Sequence, residues 1–419
     1  MGRGTVVAAY DLLQQEGRVV RRQGSGTRVA ALDLPATRTT DGVVANPLLM
    51  HILYPPDGVQ LLTCAAPDQP PAAMFEAYEE AGARLAAVRD LGYQPAGNAA
   101  LRAALAAYYT GRGVPTSPEE IIVTTGAQQA LTLLTGLLVS PGDTVLTESP
   151  TYPGALEVFR HAASVVRPVS AGEAGHAMRE RPSLAYFVPT ARNPDGAVMD
   201  GPARRRLAAL AAEHDVPLID DEVCAELCFS GETPPPLAAF GRGEQIITLG
   251  SMSKLVWGGL RVGWIRAAAP LVSRLARLRA VHDLGGEVFS QLAAAALLGR
   301  LDEVRLARVR TLRERHDHLC AELRTRLPSW SFEPARGGQT IWVRLPRGEV
   351  DSFAQVALRH GVAVPPGRSF DPLGGHADHM RLHFLFPPDE LTRAVNNLAT
   401  AWASFDTAER AASRHTLIV

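Results

Sequence analysis

From about residue 46 onward, short and almost wholly apolar runs alternate with longer stretches in which apolar residues return every three or four positions. The runs at 121–124, 144–147, 164–169, 184–188, 216–220, 245–249 and 262–265 lack the strict in-and-out alternation of a strand with one wet face. They predict strands buried on both sides. Between them, 127–139 and 201–214 carry helical spacing, and an Ala-rich helix is predicted earlier, over 72–89. Strand and helix alternating from residue 121 to residue 265 predict an α/β domain with a mainly parallel central sheet. After a long helical stretch over 302–326 the pattern changes to strands near 340–345 and 380–385 with helices at 350–360 and 388–404. That reads as a smaller α+β domain, so the expected division is a large domain over 46–300 and a small one over 301–419.

The beginning of the chain follows a different pattern. Val6, Val7, Tyr10, Leu12 and Leu13 give one apolar side to a helix that Gly17 ends, and residues 18–29 fold back around Gly24-Ser25-Gly26 as a hairpin. Five arginines (3, 18, 21, 22 and 28) against Asp11 and Glu16 give residues 1–30 a local charge of +3. Residues 31–45 carry few large apolar side chains and contain Pro35 and Asp41-Gly42, which predicts a linker.

A chain of 419 residues with 46% hydrophobic and 20% charged side chains can bury a large core and is not a disordered protein. Its formal net charge of −1 gives no chain-wide attraction to nucleic acid or anionic lipid. No apolar run reaches the roughly 18 residues of a membrane span, and the first residues lack the apolar core of a signal peptide, so a cytoplasmic protein is expected. Cys64, Cys224, Cys228 and Cys320 form no CxxC pair and no histidines cluster near them, which suggests neither a zinc site nor a disulfide framework.

Composition also singles out one residue: of the 42 Lys and Arg residues only Lys254 is a lysine. Arginine stays charged at working pH, whereas a lysine can lose its proton and condense with a carbonyl. Lys254 lies in Gly250-Ser251-Met252-Ser253-Lys254, directly after an apolar strand, and Gly259-Leu260-Arg261-Val262-Gly263 follows. Ligands of open α/β sheets bind beyond the carboxyl ends of the strands, where this loop falls. Two hydroxyls and an arginine there suit a phosphate; taken alone, the same loop also reads as a surface lysine among serines and glycines. Thr124-Thr125-Gly126-Ala127-Gln128 closes a strand and opens a helix, a junction that presents free N–H groups to an anion. Asp220-Asp221-Glu222 ends another strand with three carboxylates, readable as a helix cap or as the partner of a protonated ring nitrogen.

Gly126-Ala127-Gln128, Pro150-Thr151-Tyr152, Asn193-Pro194-Asp195-Gly196, Asp221-Glu222-Val223-Cys224, Ser251-Met252-Ser253-Lys254 and Gly259-Leu260-Arg261-Val262-Gly263, in this order, resemble class I/II aminotransferases of pyridoxal 5'-phosphate (PLP) fold type I. The resemblance covers roughly residues 46–410. The N-terminal Arg21-Arg22-Gln23-Gly24-Ser25-Gly26-Thr27 resembles the end of a GntR-type winged helix, and the whole is similar to MocR-like proteins, which join that module to an aminotransferase-like domain. The resemblance implies that Lys254 forms the Schiff base with PLP, Asp221 pairs with the pyridine nitrogen, Asn193 bonds the ring oxygen and Tyr152 stacks on the ring. Gly126, Ala127, Gln128, Ser251, Ser253 and Arg261 would bind the phosphate, and Tyr93 would reach a phosphate across the boundary of a homodimer. Arg381 would grip the α-carboxylate of an amino-acid substrate.

Three positions depart from the family pattern: Cys224 stands where tyrosine is usual, Arg192 where glutamine is common and Asp195 where threonine is common. The last two imply an unusual charge pattern on the substrate side. Aminotransfer is the expected outcome; PLP-dependent elimination, replacement or carbon–carbon bond formation, and PLP sensing by a transcription regulator, are the alternatives. Residues 1–30 hold only the last helix and wing of a winged helix, too little to close a core, so an enzyme is expected over a DNA-binding regulator.

Overall fold

The computed structural model describes residues 58–170, 173–230, 232–241 and 244–415, with side chains to Phe405. It also describes Val6, Tyr10 and two N-terminal strands. Those strands, β1 (Val19–Arg22) and β2 (Gly26–Val29), pair antiparallel with Arg22 opposite Gly26, the hairpin predicted around Gly24. Val6 and Tyr10 are helical; the remainder of the expected first helix and the linker over 31–45 lie outside the described residues.

β3 (Gln60–Leu61) precedes a seven-stranded sheet built from β4 (Ile121–Thr124), β5 (Thr144–Thr147), β6 (Val165–Pro168), β7 (Leu184–Phe187), β8 (Leu218–Asp221), β9 (Ile246–Ser251) and β10 (Gly263–Arg266). Its order is β4-β10-β9-β8-β7-β5-β6, and only β10 runs antiparallel to its neighbours. The central strands are apolar at successive positions because both faces are covered. In β7, Leu184 and Tyr186 pack into one cluster with Leu131 and Phe159, while Ala185 and Phe187 pack into another with Leu207 and Val216 on the opposite face. The helix Ala127–Leu138 lies over the first face and Gly201–His214 over the second.

Among the predicted boundaries that move, two do so for evident local reasons. β8 starts at Leu218 and not at Val216, because the Val216 N–H bonds back to Ala211 at the helix end and Pro217 has no N–H to give. β9 runs on to Ser251, so the first serine of the lysine loop is itself part of the strand.

The C-terminal part contains β11 (Ser331–Phe332), β12 (Thr340–Arg344) and β14 (His379–His383) in one antiparallel sheet, backed by the helices Val350–Arg359 and Pro388–His415. β13 (Val362–Ala363) pairs in parallel with β3, which ties the segment around residue 60 to this part of the chain. Among the described residues no helix is long and apolar enough to cross a membrane.

Candidate active site

A cavity of about 230 Å³ opens at the carboxyl ends of β4, β7, β8 and β9. Ala127, Gln128, Tyr152, Asn193, Asp221, Cys224, Ser251, Ser253, Lys254 and Arg261 line it, all singled out by the sequence. Gly126 stands at its rim as the N-cap of the helix Ala127–Leu138. Its φ of 111° is one that side chains rarely adopt, and a Cβ there would lie 3.0 Å from Arg261 Nη2. Glycine thus lets the guanidinium approach the first turn of the helix, where backbone N–H groups have no intrahelical acceptor. Ser251 Oγ and Ser253 Oγ are 3.0 Å apart beside them, and Arg261, held in the left-handed region, bonds through Nη2 to the Thr125 carbonyl. Helix N–H groups, two hydroxyls and a guanidinium together suit a phosphate dianion.

The three consecutive carboxylates at the end of β8 have three different partners. Asp220 points away from the cavity and accepts the Leu237 N–H at 2.7 Å, while its other oxygen has no partner. Glu222 forms a two-pronged pair with Arg112, both contacts at 2.8 Å. Asp221 alone faces the cavity, where it accepts the Tyr186 hydroxyl at 2.6 Å and the Val223 N–H at 3.0 Å. Burial pushes the Asp221 carboxyl up, against the pull of those two donors. A buried carboxylate in that condition is relieved by a cationic N–H donor.

Lys254 Nζ donates to the Ala65 carbonyl at 2.5 Å. Burial lowers the basicity of its ammonium. Arg381 is buried on β14, bonds to the Thr63 carbonyl and to Asn193 Oδ1 at 3.3 Å, lies over the Phe370 ring and leaves Nε without a partner. The supports of these two cations are neutral backbone and amide oxygens, so their charge stays available to an anion. The carbonyls of Thr63 and Ala65 belong to one strap that also bonds to His383 through Leu61. The strap was not identified from sequence: its donors and acceptors are backbone atoms, and its partners lie up to 322 positions away. Tyr186 belongs to the site as well, and its signal in the sequence is a hydroxyl in an otherwise apolar strand, which needs a polar partner.

Tyr152 leads into the helix Pro153–His161, and its hydroxyl reaches Gln128 Oε1 at 3.2 Å. Asn193 follows β7 and precedes a cis bond to Pro194. Cys224 lies on the wall, its thiol pushed up to about 12 by burial. Tyr93 is not brought to this cavity: it is 67% exposed. Arg192 and Asp195 correct the sequence reading. They do not line the cavity; Arg192 Nε donates to Asp195 Oδ1 at 3.0 Å and its Nη1 to Glu148 Oε1 at 3.0 Å, so the two departures neutralise each other behind the wall.

Comparison with known proteins gives the same picture. The sequence profile described as Aminotransferase class I and II matches residues 61–398. The chain is 32% identical to the 2-aminoadipate transaminase of Thermus thermophilus, covering 74% of this chain and 82% of that one. It is 30% identical to the uncharacterized HTH-type transcriptional regulator YisV of Bacillus subtilis, covering 92% and 85%. The alpha-aminoadipate aminotransferase LysN from Thermus thermophilus, solved with N-(5'-phosphopyridoxyl)-L-leucine, superposes with a TM-score of 0.76 at 28% identity, covering 86% of this chain and 95% of that one. The chain belongs to the class I and II aminotransferase family.

Proposed function

We propose that this protein is a PLP-dependent aminotransferase acting on an α-amino acid. The observation that carries the reading is that the sole lysine lines a cavity together with two serine hydroxyls, the Arg261 guanidinium and the buried Asp221 carboxylate, while the buried Arg381 bonds to Asn193 of the same wall. Gly126, Ala127, Gln128, Ser251, Ser253 and Arg261 would hold the phosphate, Asp221 the pyridine N–H, Asn193 the ring oxygen, and Tyr152 the ring face. When bound, PLP supplies an electron-withdrawing ring that stabilises negative charge at the substrate Cα. Asp221, fixed by Tyr186 and Val223, keeps the proton on the ring nitrogen. Lys254, with lowered basicity, is the carbonyl nucleophile and, once displaced, the base that moves a proton from Cα. Arg381 fixes the α-carboxylate through two donors and thereby sets which Cα bond faces the lysine.

Tyr93 would complete the phosphate cup of a second copy in a homodimer. Borohydride reduction of the PLP-loaded protein followed by peptide mass mapping tests the assignment. A pyridoxyl group on Lys254, together with transfer of the amine from an amino acid to 2-oxoglutarate or pyruvate, supports it. A reduced adduct accompanied by loss of a side-chain leaving group would support elimination or replacement instead.

A second reading, PLP sensing by a DNA-binding regulator, is favoured by the β1-β2 hairpin and by relatives named as HTH-type regulators. Salt-dependent retention of this chain on duplex DNA would support it.

A further inference from the structure

Behind the phosphate cup runs a chain of side chains that never enters the cavity. Arg279, on the helix Ala269–His282, is 0% exposed. Its Nε donates to Asp283 Oδ1 at 3.1 Å, while Nη1 and Nη2 have no partner. The second oxygen of Asp283 accepts Gln129 Nε2 at 2.7 Å, and Gln129 Oε1 in turn accepts the Thr125 N–H at 2.9 Å. The carbonyl of the same Thr125 takes Arg261 Nη2. Both backbone polar groups of Thr125 are therefore pinned at the residue before Gly126, one by a cup residue and one by this chain.

The geometry around Asp283 leaves little slack. Its Oδ1 also accepts the Gly285 N–H at 3.0 Å. A Cβ on Gly285 would lie 2.5 Å from the Gln94 carbonyl, and one on Gly286 would lie 3.0 Å from Arg279 Nη2 and 3.8 Å from Thr125 Cγ2. The loop thus rests against the Tyr93-bearing segment on one side, and against Arg279 and Thr125 on the other. An arginine fully out of water with two unpaired nitrogens is a costly feature, and its one strong contact is the carboxylate that orients Gln129.

We propose that Arg279, Asp283 and Gln129 are positioning residues for phosphate recognition. They fix the Thr125-Gly126 backbone so that the free N–H groups of the helix Ala127–Leu138 and the guanidinium of Arg261 converge on one point. Preorganised donors of this kind bind an anion without a reorganisation cost, and freeing the Thr125 peptide restores that cost. The proposal rests on the PLP reading above and adds residues that lie outside the cavity wall.

The test compares dissociation constants of PLP and of unphosphorylated pyridoxal for the full chain and for Gln129→Leu, Asp283→Ala and Asp283→Asn. Asp283 lies at the surface, and Asp283→Asn keeps its size, so a folded variant is available. Gln129→Leu and Asp283→Ala should each weaken PLP about five- to tenfold, the loss of one or two network hydrogen bonds, while pyridoxal binding stays unchanged. A chain carrying both Gln129→Leu and Asp283→Ala should be little worse than either single variant, because both break the same chain. Equal weakening of both ligands, or a PLP-to-pyridoxal ratio unchanged in the variants, overturns the inference while leaving the cofactor assignment standing. A wild-type chain that binds neither ligand overturns both.

Discussion

At the scale of single residues, burial decides which protons are where. Lys254 is less basic than an ordinary lysine because its ammonium is out of water, although the Asp221 carboxylate pulls the other way. Only the neutral amine attacks a carbonyl, so the rate of covalent PLP loading should reach half its maximum below about pH 10.4, the ordinary lysine value. Stopped-flow absorbance across pH checks this. Cys224 stays a thiol through the working range and offers only a weak donor where the family has a phenol. Cys224→Tyr should therefore move the pH midpoint of the bound-cofactor absorbance downward; an unshifted titration would mean that residue 224 does not reach the ring. Asp220 is raised by burial and by Glu222, against the Leu237 N–H and the Arg204 and Arg112 charges. The folded chain then holds this proton more tightly than the unfolded chain, so stability falls as pH rises above about 4, the ordinary carboxyl range, until the folded carboxyl ionises. Asp220→Asn should raise the melting temperature at pH 7 to 8, by the equivalent of about 1 kcal/mol or more, with the gain fading toward pH 4. The cavity residues were legible because the chemistry demands their types and each sits in a short local motif. Tyr186, Arg112 and Arg279 were not, because each acts through a partner distant in sequence. Arg192 and Asp195 show the opposite error: a local comparison saw two changed charges but not that they face each other.

At the scale of elements, the site depends on how closely strand β10 approaches the helix Ala127–Leu138. A Cβ on Gly263 would lie 2.7 Å from the Gly126 backbone, so the first residue of β10 touches the phosphate loop directly. Gly263→Ala should push the two apart, costing about 1–3 kcal/mol of stability and weakening PLP more than pyridoxal. Thermal melts and the two binding constants measure both effects. The buried strands were legible as apolar runs because each is covered on both faces. The antiparallel sense of β10 was not, since a run of apolar residues carries no direction. The two-residue pairing of β3 with β13 was also hidden, being too short to leave a periodicity. It matters all the same, because it places the carbonyls that receive Lys254 and Arg381.

At the scale of the molecule, Tyr93 is 67% exposed and would reach a second copy across the boundary of the proposed homodimer. If Tyr93 acts across that boundary, mixing Lys254→Ala and Tyr93→Phe chains should add intact sites equal to at most about one quarter of the total to the residual activity of the Tyr93→Phe homodimers, since half the dimers are mixed and each carries one intact site. No recovery on mixing would place Tyr93 in its own subunit's chemistry. The composition has a practical corollary. With every other Lys or Arg position filled by arginine, the cavity holds the only ε-amine in the sequence. An amine-selective acylating reagent therefore has one interior target besides the chain's α-amino group. Protection of that target by a candidate ligand becomes a direct occupancy assay, readable on the intact mass without any knowledge of the substrate.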